Sequence, residues 1–268
     1  MEITSGSAVL AAESTGDGPA VLLVHSGVTD QRSWSSVVGR LPEHRCLTYD
    51  ARGYGRTTYQ PEDGWSSVGD AVAVLDAYGA ERAVVIGSSM GGRTSIDLTL
   101  VHPERVRALV LIGAAISGAP EATYEPEVLA LDEEWEAAEE RGDLEALNRL
   151  EARVWLDGPT APEGRVRGAA RDLFLEMNGR ALAADDPGKK GDDAAAWDRL
   201  GEIAVPTLVL VGEHDLRYIK EGATHAADAV PGARLVDLPG VAHLPHLEAD
   251  ERTLAEIAAF VDGLPVST

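Results

Sequence analysis

The sequence predicts an α/β fold with a mostly parallel, doubly wound sheet, and three observations carry that expectation. Short apolar runs alternate with stretches of helical period through the first and last parts of the chain. Runs such as Ala20-Val21-Leu22-Leu23-Val24 show no polar alternation, as strands covered on both faces do. Third, the run Ala83-Val84-Val85-Ile86 breaks at Gly87-Ser88-Ser89-Met90-Gly91-Gly92 and continues as a helical segment from Arg93 to Val101. A chain of 268 residues, 44% of them hydrophobic, has room for one large domain of this class or a core domain with an insertion.

Taken in order, Ser7 to Glu13 alternates weakly and reads as an edge strand or hairpin, closed by the turn Gly16-Asp17-Gly18-Pro19. The buried strand from Ala20 to Val24 runs into His25-Ser26-Gly27-Val28. That small-residue turn is either an ordinary strand-to-loop turn or a place where backbone N–H groups converge on a ligand oxygen. Trp34 to Leu41 reads as a short helix, Cys46 to Tyr49 as a strand, and Asp50 to Arg56 as a tight loop. Asp50 and Arg52 are expected to pin that loop by hydrogen bonds rather than to perform chemistry. Asp70 to Tyr78 has helical spacing and ends at Gly79, and Arg107 to Ile112 is a further apolar strand.

From about Ser117 to about Leu200 the strand runs disappear. Glu127 to Arg141, Asp143 to Trp155 and Val166 to Leu182 read as helices, separated by Gly142, by Asp157-Gly158-Pro159 and by the polar stretch Asp185 to Asp193. The expected division is a core of residues 1–116 and 201–268 and a helical cap of residues 117–200. Clustered glutamates on helical spacing place the acidic side of the cap toward water and its apolar side over a pocket. Trp135, Trp155, Phe174, Met177 and Trp197 supply that apolar side, with Trp135 and Trp155 as candidates to face a substrate. Alternation resumes with the strand Thr207 to Val211, which leads to Gly212-Glu213-His214-Asp215. A helix from Tyr218 to Ala229, a strand from Ala233 to Leu238, the loop Pro239 to His246 and an amphipathic helix from Glu248 to Gly263 complete the pattern.

Composition excludes several partners. A formal net charge of -22 disfavours nucleic acid and anionic membrane surfaces, which require clustered Lys and Arg. The single cysteine, Cys46, lies in a strand-like run and reads as a buried structural thiol. The histidines lack ligand spacing with Cys, no H-E-x-x-H occurs, and neither a dinucleotide fingerprint nor a P-loop is present, so no metal or cofactor is expected. Met1 to Gly6 lacks the basic start and apolar core of a signal peptide, and no apolar run approaches membrane-spanning length, so the expectation is a soluble cytoplasmic protein.

The chemistry is read from Gly87-Ser88-Ser89-Met90-Gly91, a G-x-S-x-G at a strand-to-helix turn. Such a turn strains the serine and exposes its hydroxyl, while Gly87 and Gly91 allow strand and helix to approach closely. Five residues of this kind are weak evidence alone, since a glycine-rich turn has the same composition. What strengthens them is an acid after a later strand and a histidine after the last one, the order Ser89, Asp215, His243.

At these residues the sequence resembles the α/β-hydrolase superfamily over nearly its whole length. The resemblance rests on Val24-His25-Ser26-Gly27, Asp50-Ala51-Arg52-Gly53-Tyr54-Gly55, the Ser89 turn, Val211-Gly212-Glu213-His214-Asp215 and Gly240-Val241-Ala242-His243-Leu244-Pro245. Its overall look is closest to small bacterial esterases and lactonases related to 3-oxoadipate enol-lactonase. The resemblance implies a small-molecule ester or lactone substrate, a Ser89 nucleophile, a His243 base held by Asp215, and an oxyanion hole from the N–H groups of Met90 and Gly27. The usual family turn is His-Gly and then a variable residue, and here Ser26 stands at the glycine position, which keeps Val28 as the alternative donor. Glu213 is the alternative acid, while His214 and His246 read as surface or supporting residues. Gly91-Gly92-Arg93 resembles the menaquinone-pathway lyase of the superfamily, which makes Arg93 a candidate substrate contact or else half of a surface ion pair. A lyase or cofactor-free haloperoxidase on the same triad, and a non-catalytic receptor, are the competing expectations.

Overall fold

The computed structural model describes residues 1–191 and 194–265. Among them, eight strands form one sheet: β1 (Glu2–Ser5), β2 (Ala8–Thr15), β3 (Ala20–Val24), β4 (Arg45–Tyr49), β5 (Ala83–Ser88), β6 (Val106–Ile112), β7 (Thr207–Gly212) and β8 (Arg234–Leu238). Their order is β1-β2-β4-β3-β5-β6-β7-β8. The pairs β1–β2 and β2–β4 are antiparallel and all later pairs are parallel, with Leu22 opposite Val85 and Val85 opposite Leu109. The expected parallel sheet is therefore present, and the weak alternation near Ser7 belongs to an antiparallel hairpin at its edge.

Strand geometry sends alternate side chains to opposite faces, and both faces are covered. Leu22, Val24 and Val85 pack with Val74 and Leu75 of α2 (Ser67–Ala77), Ile96 and Leu98 of α3 (Met90–Val101) and Ile219 and Ala223 of α8 (Arg217–Ala229). Val21, Leu23, Val84 and Ile86 pack on the other side with Trp34, Val37 of α1 (Ser35–Arg40) and Leu254, Ile257 and Val261 of α9 (Glu251–Asp262). Side-chain caps set two of these boundaries. Ser66 accepts from the N–H of Gly69, so α2 begins three residues before the expected Asp70, and Asp250 accepts from the N–H of Thr253, so α9 begins after the expected Glu248.

The Asp50 to Arg56 loop is pinned as expected. Asp50 accepts from the N–H groups of Gln31 at 3.0 Å and Arg56 at 2.8 Å, and Arg52 pairs with Asp70 and Glu62, each at 2.9 Å. Cys46 is buried, which pushes its thiol up to about 11.

Between β6 and β7 lie α4 (Pro126–Leu129), α5 (Asp132–Arg141), α6 (Leu144–Glu151), a π-helical turn (Ala152–Asp157) and α7 (Ala169–Leu182). The helix expected over 127–141 is broken near Ala130, and the one expected over 143–155 widens to π geometry from Ala152. Gly142 ends α5 in the left-handed region, at φ 60°. Glu133, Glu134, Glu136, Glu139 and Glu140 are all exposed. The segment is tied to the sheet loops by the Tyr59 hydroxyl donating to the Asp185 carbonyl at 2.6 Å, Trp65 Nε1 donating to the Gly188 carbonyl at 2.9 Å, and the Arg165–Glu248 ion pair at 2.6 Å. Of the polar stretch expected from Asp185 to Asp193, Asp192 and Asp193 lie outside the described residues. No described helix is long and apolar enough to cross a membrane.

Candidate active site

Ser89 stands between the end of β5 and the first residue of α3, at φ 52° and ψ -115°. Among the described residues only Ala195 and Ala249 share positive φ without being glycine. A residue persists in such a conformation only when its surroundings over-determine it. Here the Ser89 N–H donates to the Ile112 carbonyl at 2.9 Å, and its own carbonyl accepts from Arg93 at 3.0 Å and Ala115 at 3.1 Å. The glycines on either side are demanded by space. A Cβ on Gly91 would sit 2.0 Å from the Val24 carbonyl oxygen, and one on Gly87 would sit 2.3 Å from the Gly91 oxygen. Ser89 itself is half-buried.

Asp215 follows β7 and His243 follows β8, and each is 1% exposed. Both carboxylate oxygens of Asp215 lie 2.9 Å from Nδ1 of His243, and Oδ1 also accepts from the Leu216 N–H at 2.8 Å. A carboxylate only accepts, so the partner assigns the ring proton to Nδ1 and leaves the lone pair on Nε2. That Nε2 has no hydrogen-bond partner among the described residues. No hydrogen bond joins Ser89 to His243 here, whereas the His243–Asp215 bond is formed. Nucleophile and base are often long or misaligned until a substrate binds. The two halves are nevertheless joined through Gly113. It directly follows Ile112, the acceptor of the Ser89 N–H, and a Cβ on it would lie 2.9 Å from both Asp215 Oδ2 and His243 Nδ1.

The turn after β3 is brought to the same place. A Cβ on Gly27 would lie 3.7 Å from both Cβ and Sδ of Met90 and 3.5 Å from the Tyr54 hydroxyl. The Met90 N–H is the first of α3 and has no acceptor within its own helix. Ser26, at the family's glycine position, turns its hydroxyl to Thr29 at 3.0 Å and accepts from the Val28 N–H at 3.4 Å. The Val28 side chain packs with Phe174, Met177 and Leu244. His25 is structural: Nδ1 donates to the Ser26 carbonyl at 2.7 Å, Nε2 accepts from the Ala51 N–H at 3.0 Å, and burial pushes its pKa down.

The remaining candidates separate clearly. The Trp155 ring lies 4.8 Å from that of His243, on the π-helical turn. Trp135 instead donates to Glu139 at 3.1 Å and packs with Ala138, Leu147 and Leu150 of α5 and α6. Arg93 is half-buried, and its charge acts on Asp97 and Lys190. Glu213 is exposed and accepts from the Gly240 N–H at 2.8 Å, so it does not take the place of Asp215. His214 is half-buried. His246 is no surface residue: it is fully buried and stacks on Trp34 at 4.3 Å, and burial together with His243 pushes it down to about 3. Gly113 escaped the sequence reading, and Tyr54 entered it only as part of the Asp50 to Arg56 loop. The positive φ of Gly113, 49°, had its only trace in a glycine at a strand end. No described group of three or more His, Cys, Asp or Glu residues is placed to hold a metal ion.

Residues 21–257 match the alpha/beta hydrolase family. The chain is 29% identical over 296 aligned positions to rhodomycin D methylesterase DauP of Streptomyces sp. (strain C5), covering 98% of each. It is 28% identical over 255 positions, 89% of each, to a Bacillus subtilis (strain 168) protein that carries the provisional name 2-succinyl-6-hydroxy-2,4-cyclohexadiene-1-carboxylate synthase. The crystal structure of the esterase RhEst1 from Rhodococcus sp. ECU1013 is similar with a TM-score of 0.79 at 26% identity, over 99% of both chains. On the strength of a match that spans the sheet from β3 to the last helix, together with the strained serine at the end of β5, this chain belongs to the alpha/beta hydrolase family.

Proposed function

We propose that the protein hydrolyses carboxylic esters or lactones through an acyl-enzyme on Ser89. The observation that carries this reading is the Asp215–His243 pair, which holds the imidazole with its Nε2 lone pair unengaged and is linked to the strained Ser89 turn through Ile112 and Gly113. A serine hydroxyl is a poor nucleophile until a base removes its proton. His243 Nε2 takes that proton as Ser89 Oγ attacks the carbonyl carbon, and Asp215 stabilises the imidazolium. The tetrahedral intermediate then collapses: the carbon–oxygen bond to the alcohol breaks, and His243 returns the proton to the leaving oxygen. Water, activated by the same ring, releases the acid and restores Ser89.

The oxyanion donors in this reading are the N–H groups of Met90 and Gly27. Met90 offers the first amide of a helix, where the dipole favours negative charge. Gly27 is favoured over Val28 because the Val28 N–H already reaches the Ser26 hydroxyl. Residues 117–200 serve as the cap, since Trp155 lies against His243 and Met177 Sδ accepts from the Asp30 N–H at 3.4 Å beside the Gly27 turn. The names of the methylesterase and esterase relatives support ester substrates.

A second reading, a proton-abstracting lyase on the same triad, is favoured by the Bacillus relative and by Gly91-Gly92-Arg93. The two differ in one intermediate, because only hydrolysis passes through a covalent acyl-serine. A phosphonate ester that cannot turn over is expected to label the peptide holding Ser89, with Ser89→Ala abolishing both label and ester turnover. Absence of labelling, with no turnover of any ester or lactone, would transfer the assignment to the lyase.

A further inference from the structure

A cavity of about 360 Å³ opens beside Met90, within the range of about 300–1,000 Å³ that small-molecule sites occupy. Its walls include Val24 at the end of β3, Tyr49 at the end of β4, Tyr54, Trp65, Met90 and, from the helical segment, Ala181 of α7. Of the charged groups in the wall, Arg52 donates to both oxygens of Asp70, at 2.9 and 3.0 Å, and Asp185, Asp186 and Lys190 come from the helical segment. Ser89, Trp155 and His243 are not among the lining residues. The cavity therefore lies to one side of the nucleophile and shares Met90, the residue that follows Ser89, as part of its wall.

The strand order decides what such a chamber would hold. β3 and β4 lie on one side of β5, and β6, β7 and β8 lie on the other. Asp215 and His243 follow β7 and β8, while the chamber is walled by the ends of β3 and β4. In the proposed reaction His243 must hand its proton to the leaving oxygen, so the alcohol part has to lie on the β6 to β8 side, where the Trp155 ring lies 4.8 Å from that of His243. The oxyanion points at Gly27 and Met90. Of the four groups on the tetrahedral carbon, only the acyl substituent remains to be placed, and the space open to it is the chamber beyond Met90.

We infer that the chamber beside Met90 is an acyl pocket, and that the preferred substrates are open-chain esters of a small alcohol with a bulky apolar acyl group, aryl or medium-chain. This rests on the hydrolase reading of the same site. A lactone ties acyl and leaving groups into one ring and cannot extend to both sides, so lactones are the poorer substrates.

The test uses two series of esters followed by proton release. One varies the acid at constant methanol: methyl acetate, hexanoate and phenylacetate. The other varies the alcohol at constant acetate: methyl, butyl and benzyl. The wild-type protein is expected to favour the larger acids by about tenfold or more in kcat/KM. Ala181→Trp, which fills the chamber from the helical side, is expected to remove most of that advantage, with kcat/KM falling for the hexanoate and phenylacetate far more than for the acetate. Ala181→Leu gives a smaller step in the same direction should the tryptophan disturb folding. Labelling of Ser89 without any preference for larger acids, or a variant that alters the alcohol series instead, overturns the acyl pocket and leaves the hydrolase standing. Failure of wild-type labelling and turnover refutes the hydrolase itself.

Discussion

Asp215 meets His243 with both carboxylate oxygens at 2.9 Å from a single ring nitrogen. That arrangement fixes the imidazole tautomer as well as its orientation. Asp215→Asn conserves shape and the acceptor for the Leu216 N–H, yet its amide can donate to Nδ1 and so favours the ring with its proton on Nε2. The expected result is a fall in kcat on the order of 10⁴ with little change in the unfolding midpoint. Activity within tenfold of wild type would show that Asp215 does not orient the base.

The serine turn leaves no room at Gly91, where a Cβ would meet the Val24 and His25 carbonyl oxygens at 2.0 and 2.6 Å. These are backbone atoms of the central strand and cannot swing aside. Gly91→Ala is expected to cost about 1–3 kcal/mol in chemical denaturation and to displace the Ser89 backbone, lowering kcat as well. Gly39→Ala is the matched control, because its Cβ would meet nothing within 4 Å.

His246, stacked on Trp34 and fully buried, stays neutral down to about 3 in the folded chain against 6.5 when unfolded. Between those values the unfolded state binds the extra proton, so stability is complete above about 6.5 and declines as pH falls toward 3. The slope from this one group is about 1.4 kcal/mol per pH unit. His246→Phe retains the ring stack and should flatten the decline measured by urea unfolding at pH 7 and pH 5. An unchanged slope would exclude His246 as the source.

Arg165 joins the Trp155 segment to the His243 loop. It forms a bidentate pair with Glu248 at 2.6 and 2.7 Å and donates to the carbonyls of Leu156, Asp157 and Gly240. Glu248 is only 10% exposed in its side chain, so removing the arginine strands a largely buried charge. Arg165→Met is expected to destabilise by about 3 kcal/mol, and the Arg165→Met, Glu248→Leu double variant to regain much of that loss. Additive losses in the double variant would show that the pair is not coupled.

How much of this was legible in the chain depends on what each residue needs. β3, β5 and β7 are buried on both faces, and continuous apolar runs declare that directly. β1 is a partly exposed edge strand and leaves almost no pattern in Glu2 to Ser5. Ser89 could be read because its backbone conformation demands glycine neighbours, and Asp215 and His243 because they follow identifiable strands. Tyr54 and Gly113 reach the site only through the order of strands, which no local pattern encodes. The π-helical turn at Ala152 was invisible for a related reason: apolar spacing resolves a helix from a strand more readily than one helical pitch from another.

The helical segment leaves the sheet after Ile112 and returns at Thr207, and the two strands it separates are hydrogen-bonded neighbours, with Leu109 opposite Thr207 and Ile112 opposite Leu210. Its two ends are therefore held side by side by the ladder itself, whatever lies between them, and lengthening the connection adds only a slowly growing closure cost. Such an insertion behaves as an exchangeable part. A lineage, or an engineer, can graft a different helical segment between these two strands without rerouting a single strand of the scaffold that carries Ser89, Asp215 and His243.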